Sequence, residues 1–223
     1  MESLNSTPAH HAALKFSGGR DLLSIDSLHR GHIHETFISS WSKQGETCRM
    51  LHQRMNDQIF RDIPGLMHNI KRVTEQLRLD TWRARDHELE VLELVATNEG
   101  EAWAVLPDGA WRTYIFVDDT VTYDHCQGIE QAYGAAVAFG NFQARLFDLD
   151  ARELSETIPF FFSSTHRLRQ FQAALRADVK DRARTVRPEI EFVLKHAHLL
   201  EIVETGQAQG RIPVRVIHRD TKL

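Results

Sequence analysis

The last residues of the chain, Val216-Ile217-His218-Arg219-Asp220-Thr221-Lys222-Leu223, carry the strongest chemical signal. A β-branched pair runs into a His-x-Asp turn, and a Lys follows the Asp by two positions. A carboxylate on such a turn suits accepting or orienting the proton of a hydroxyl that attacks a phosphoryl group. In sites of that kind an Asn five residues after the Asp holds a metal ion, and the sequence ends at Leu223 before reaching that position. The metal-binding half of the site is thus expected beyond residue 223.

Other reactive residue types lie in the first half of the chain. A turn at Gly31 leads into an alternating run, Leu28 to Trp41, with Ile33, Glu35, Phe37 and Ser39 in step. The turn either lets backbone N–H groups approach phosphates or is an ordinary β-turn. His32 and His34 share one face of that strand, a spacing that fits a metal pair or a surface pair. In the next strand, Thr47 to Asn56, Arg49, Gln53 and Arg54 either stand near a nucleotide or form a solvent-facing edge. Glu75 is a partner for a strand cation or a surface glutamate. His10-His11 is a metal pair or part of a solvated tail.

These residues need a scaffold, and composition bounds what it is. A 223-residue chain with 42% hydrophobic and 26% charged residues is an ordinary soluble globular protein. A net charge of −4 gives no electrostatic case for nucleic acid or an anionic membrane. No apolar run spans a bilayer, and residues 1–17 lack the apolar core of a secretory signal. Cys48 and Cys126 make no disulfide framework. A cytoplasmic location is the expectation. There is no Walker A pattern, no Cys-x-x-Cys and no Gly-x-Ser-x-Gly.

The element order is strands first, helices later. Residues 1–20 read as a loose tail, and short strands begin at Leu22. Asp62-Ile63-Pro64 opens a helix, with Asp62 as cap and Leu66, Ile70, Val73 and Leu77 on its buried face. Strands return at Glu90–Thr97, Glu101–Leu106 and Ala110–Val117, the last two joined by a Pro107-Asp108-Gly109 turn. The acidic stretch 118–124 separates this β-rich part from a helical remainder. A helix over Gly128–Phe147 is apolar nearly all round, which predicts a central, buried position with Gly134 and Gly140 packed closely on a neighbour. Phe160-Phe161-Phe162 is a core plug or a substrate wall. Further helices are expected from His166 to Val179 and from Pro188 to Val203. The class is α+β.

Six stretches in order carry a family resemblance: GHIHETF (31–37), HQRMNDQIF (52–60), LMHNIKRVTEQL (66–77), WRTYIFVDDTVTYD (111–124), AYGAAVAFGNFQARLFDL (132–149) and PVRVIHRDTKL (213–223). Together they resemble the aminoglycoside phosphotransferase/choline kinase superfamily, and within it the bacterial branch containing N-acetylhexosamine 1-kinase. The resemblance implies a two-lobed protein-kinase-like fold. A flexible tail (1–20) would precede an antiparallel β-sheet lobe with one helix (21–117), a hinge (118–124) and an incomplete helical lobe (125–223). It implies ATP and Mg²⁺ as cofactors, with the metal ligands past residue 223, and a small-molecule hydroxyl, of a sugar or an aminoglycoside-like compound, as acceptor. Gly31, His32 and Ile33 would cover the ATP phosphates. Gln53 or Arg54 would supply the cation that many kinases take from a Lys, with no choice between them from spacing. Phe116 and Asp118 would lie at the hinge beside the adenine. Asp220 would be the catalytic base and His218 its turn-shaping partner. Arg167, Phe162 and Arg219 would lie toward the acceptor and the transferring phosphate.

The sequence departs from that branch in three places. His218-Arg219-Asp220 stands where relatives have His-Asn-Asp. Phe160 to Ser163 replaces a loop with an Asp and a Phe-His pair, which points away from an acetamido sugar because hydrogen-bonding sites discriminate sharply. The sequence also ends before the Asn and the Asp-x-Asp metal ligands, which implies little or no transfer by these residues alone. An ATP-dependent small-molecule kinase is the leading reading. A non-catalytic kinase-like remnant or nucleotide-binding protein is the alternative. A protein kinase is suggested by His218-Arg219-Asp220 with Lys222 but lacks a Val-Ala-Ile-Lys strand and a Gly-x-Gly-x-x-Gly loop.

Overall fold

A computed structural model describes residues 7–29, 33–84, 90–123 and 125–221. The fold is mixed α+β. Five strands form one antiparallel sheet: β1 (Asp21–Ser27), β2 (Glu35–Lys43), β3 (Glu46–Arg54), β4 (Ala104–Leu106) and β5 (Gly109–Ile115), in the spatial order β1-β2-β3-β5-β4. The β2–β3 hairpin closes through Gln44-Gly45, both at positive φ, the turn whose twist matches the strands it joins. Two compact units are present, Met1–Thr157 with Val216–Leu223, and Ile158–Arg215. None of the described helices is long and apolar enough to cross a membrane.

Residues 8–15, expected as a loose tail, instead form helix α1 (Pro8–Lys15). Thr7 caps it by accepting the His10 N–H at 3.2 Å, and Pro8 fits the first turn. Ala9, Ala12, Ala13 and Phe16 recur at helical spacing and are buried with Ile25, Trp41, Met50 and Trp111. Small side chains let the helix lie close on the sheet, and Phe16 fills the space beside His52. Polar composition hid this element, because its apolar face is mostly alanine.

Helix α2 (Ile63–Ala84) enters between β3 and β4. The Asp62 carboxylate accepts the Gly65 N–H at 2.9 Å, the cap expected from sequence. Ile63 and Met67 join Met55 in one core cluster, and Leu77 joins Leu146, Leu149 and Val216 in another. Of the strand expected at Glu90–Thr97, a single bridge from Leu94 to Tyr114 remains, flanked by Val95 N–H to Thr113 O and Ile115 N–H to Glu93 O. The reason lies in Asn98. Its N–H reaches Lys15 O and its side chain reaches Leu14 O, so this segment closes the end of α1 rather than extending the sheet.

Helix α3 (Ile129–Arg145) was expected to be central and buried, but it contains no buried residue. Phe142 packs on the Leu77–Leu146–Leu149–Val216 cluster, whereas Ile129 and Tyr133 are 78% and 72% exposed. Nothing lies within 4 Å of a side chain built at Gly134 or Gly140, so neither glycine marks a close approach. An apolar stripe records what a helix is able to bury; only Phe142 and its neighbours find partners here.

The second unit holds α4 (Ser164–Ala177), α5 (Arg187–Lys195) and α6 (Ile202–Ala208). Ser163 caps α4 by accepting the His166 N–H at 3.1 Å. Glu204 of α6 accepts from the Ser163 hydroxyl at 3.0 Å and from both the N–H and hydroxyl of Thr165. The helix expected over Pro188–Val203 is broken by a 3-10 turn at Ala197–Glu201. A side chain at Gly206 would meet that of Ile212 at 2.6 Å, so the two residues pack closely. Phe160, Phe161 and Phe162 each expose about half of their surface, which excludes a core plug.

Candidate functional site

The terminal turn belongs to the sheet-bearing unit. Val216 is buried between α2 and the segment after α3, in the cluster with Leu77 and Leu149. His218 lies 5.2 Å from the ring of Phe139 and 5.8 Å, edge-on, from that of Phe142. Its Nδ1 accepts the backbone N–H of Asp220 at 3.3 Å, which closes the His-x-Asp turn. Asp220 and Arg219 are exposed. His218 also lines a cleft of about 450 Å³ with Val73 and Leu77 of α2, Tyr114 of β5 and Phe142 of α3.

The sheet assigns its polar residues to two faces. Adjacent residues of a strand point oppositely, so Gln53 and Arg54 separate. Gln53 lies on the face of Leu51, Arg112 and Tyr114, and Tyr114 adjoins α2 across the cleft. Arg54 lies with His52 and Trp111 on the face covered by α1, pairs with Glu35 and donates to Asp108 O at 2.8 Å. Glu75 pairs with Lys71, one turn away on α2, and not with a strand cation.

On the α2 side, Gln53 Oε1 accepts from both Nε (3.0 Å) and Nη2 (2.9 Å) of Arg112, while its amide nitrogen donates to Thr36 Oγ1 at 3.3 Å. Arg112 is 8% exposed, and its guanidinium stands 5.4 Å from the Tyr114 ring centre. Burial lowers its pKa, against a smaller opposing effect of Tyr114. His34 accepts the Asn56 N–H at Nδ1 (3.2 Å) and stacks on Phe60. Burial, and then the Arg112 charge, lower its pKa to about 4.

No protein-family model matches the chain. Among solved structures it is similar to an aminoglycoside phosphotransferase from Alicyclobacillus acidocaldarius, at 13% identity and a TM-score of 0.45. The alignment covers 77% of this chain and 45% of the other, so the chain spans less than half of that protein's length.

Of the residues expected at the site, Gln53, His218 and Asp220 fall in the sheet-bearing unit, the first two on or beside the α2 side of the sheet. Phe116 and Asp118 are both held by Arg49, whose guanidinium lies 4.1 Å over the Phe116 ring and 2.6 Å from the Asp118 carboxylate. Ile33 is exposed, and Gly31 and His32 lie outside the described residues. Arg167 and Phe162 belong to the second unit, where Arg167 donates twice to Phe161 O. Among the described residues no three His, Cys, Asp or Glu side chains gather to hold a metal ion, which includes His10 and His11. Arg112 was not singled out from the sequence. Its signal was a long cation inside the buried run Trp111 to Tyr114, where an exposed strand would have placed it at a polar step.

Proposed function

We propose that the chain is an ATP-dependent phosphotransferase acting on a hydroxyl of a small molecule, with Asp220 as the base. The observation that carries this reading is how the terminal turn is held. Buried Val216 and the ring contacts of His218 fix the turn to the unit that bears the sheet, and His218 Nδ1 takes the Asp220 N–H. A carboxylate is thereby placed on a turn two residues from the cleft wall. The five-stranded antiparallel sheet, with one long helix entering between its third and fourth strands, supports the same reading, as do the six sequence stretches.

In this reaction the acceptor oxygen attacks the γ-phosphorus and forms the new O–P bond. The bond to the β,γ-bridging oxygen breaks, and its electron pair leaves on ADP. The hydroxyl proton passes to an Asp220 carboxylate oxygen. Asp220 is the catalytic residue, and His218 is a positioning residue that sets the turn. Magnesium, which the resemblance implies, has no ligand set among the described residues.

The test is transfer of γ-phosphate from ATP, with magnesium, to a panel of sugars, aminoglycosides and amino alcohols, by the protein with whatever residues follow Leu223. Asp220→Asn should slow transfer by about 100-fold or more while leaving ATP affinity within about threefold. ATP binding with no transfer to any acceptor would identify a nucleotide-binding protein instead.

A further inference from the structure

Two arginines of the sheet face opposite sides and are treated oppositely. Arg54 is answered by carboxylates: it pairs with Glu35, and Asp108 and Asp57 also act on it. Arg112 is more deeply buried, and among the described residues it faces no carboxylate; its polar partner there is the neutral amide of Gln53. Removing a guanidinium from water without a counter-charge is strongly unfavourable. A hydrophobic residue would fill the same strand position without that penalty.

The geometry of the guanidinium shows which part of it is spoken for. A guanidinium has five N–H groups. Gln53 Oε1 takes the Nε edge with one Nη2 hydrogen, which leaves the Nη1–Nη2 end as a second fork. Among the described residues the one buried side-chain nitrogen or oxygen without a partner is Nδ1 of His10. Nη1 of Arg112 is not that atom, and it meets no acceptor among the described residues. Its field is felt nearby, since it helps to keep His34 neutral. His34 accepts at Nδ1 and so carries its proton at Nε2, a second donor and not a competing acceptor.

We propose that Arg112, seated by Gln53 on the α2 side of the sheet, is an oxyanion subsite that binds a phosphate of the nucleotide through its free Nη1–Nη2 fork. A two-pronged guanidinium matches two phosphate oxygens in one plane. The cation expected from β3 is thus supplied from β5, and the β3 residue Gln53 aims it. The proposal rests on the phosphotransferase reading only for the identity of the ligand as a nucleotide.

The experiment measures binding of pyrophosphate and of ATP separately to the whole chain and to two variants, each first shown by thermal melting to be folded. Arg112→Gln removes the charge. Gln53→Glu leaves the guanidinium in place and neutralises it with a carboxylate of equal size, so it survives as a test if Arg112→Gln does not fold. Both should weaken pyrophosphate binding by about 10- to 100-fold, the loss of a charge-assisted pair. Unchanged pyrophosphate binding in a folded Gln53→Glu variant overturns the proposal, as does absence of pyrophosphate binding to the unaltered chain. If pyrophosphate binding depends on Arg112 but ATP does not bind, the subsite stands and the phosphotransferase reading falls. If ATP binds equally to the unaltered chain and to Gln53→Glu, the reading stands and the subsite falls.

Discussion

His52 is a residue whose protonation the fold opposes through burial alone. It is fully buried, with Nε2 2.6 Å from the Ser39 hydroxyl and Nδ1 2.8 Å from that of Thr113. Trp41 Nε1 donates to the same Ser39 oxygen at 2.5 Å, which leaves the Ser39 proton free to point at His52 Nε2. Burial lowers the His52 pKa from 6.5 to about 4. Above pH ~6.5 the imidazole is neutral in both folded and unfolded chains, and its contribution to stability is complete. As the pH falls from there toward 4 the unfolded chain takes the proton first, and about 3 kcal/mol is lost. His52→Gln should be less stable at pH 8 by about 1–3 kcal/mol, because its amide matches the two hydroxyls imperfectly. It should also lose stability less steeply between pH 6.5 and 4. His34 titrates in the same direction in both proteins, so the difference between their pH profiles isolates His52. Parallel profiles would contradict this assignment.

At the scale of elements, α1 and α2 make contrasting cases. For α2, the cap, the Pro64 position and the apolar spacing were all legible, because each is a local rule written in large side chains. For α1 the same rules were present in Thr7, Pro8 and the Ala9–Ala12–Ala13–Phe16 spacing, yet the polar surroundings of His10 and His11 read as a tail. Phe16→Ala should therefore cost about 3–5 kcal/mol, as a core aromatic does, and Thr7→Ala about 1 kcal/mol, both measured by urea unfolding. A change near zero at Phe16 would restore the tail. The strand at Glu90–Thr97 was over-read for the complementary reason. Its alternation is real, but the hydrogen bonds of Asn98 are spent on the end of α1, a long-range demand that no local pattern records. The choice between Gln53 and Arg54 needed only the pleat, once β5 supplied Tyr114 to mark the α2 side. Arg112 stayed hidden because a buried cation violates the binary pattern, and such violations gather where a protein has a task other than stability.

At the scale of the whole molecule, α3 shows how far periodicity misled. Its Ile129 and Tyr133 side chains are exposed already, so Ile129→Glu and Tyr133→Glu should each change the melting free energy by no more than about 0.5 kcal/mol. Losses of several kcal/mol would mean that this stripe is covered in solution. The α+β class was legible from pattern and turn residues alone, and so was the order of strands before most helices, α1 excepted. The grouping of α3 and the terminal turn with the sheet was not, since it depends on Val216 and His218 finding Leu77 and Phe142 across long stretches of sequence. That grouping is what gives Asp220 its proposed role. The most direct test is γ-phosphate transfer from ATP to a hydroxyl acceptor by the chain and by Asp220→Asn, with ATP binding measured on both. For the protein with whatever residues follow Leu223, the account predicts transfer that falls by about 100-fold or more in the variant at unchanged ATP affinity; equal, measurable rates in the two proteins, or no binding of ATP to either, would contradict it.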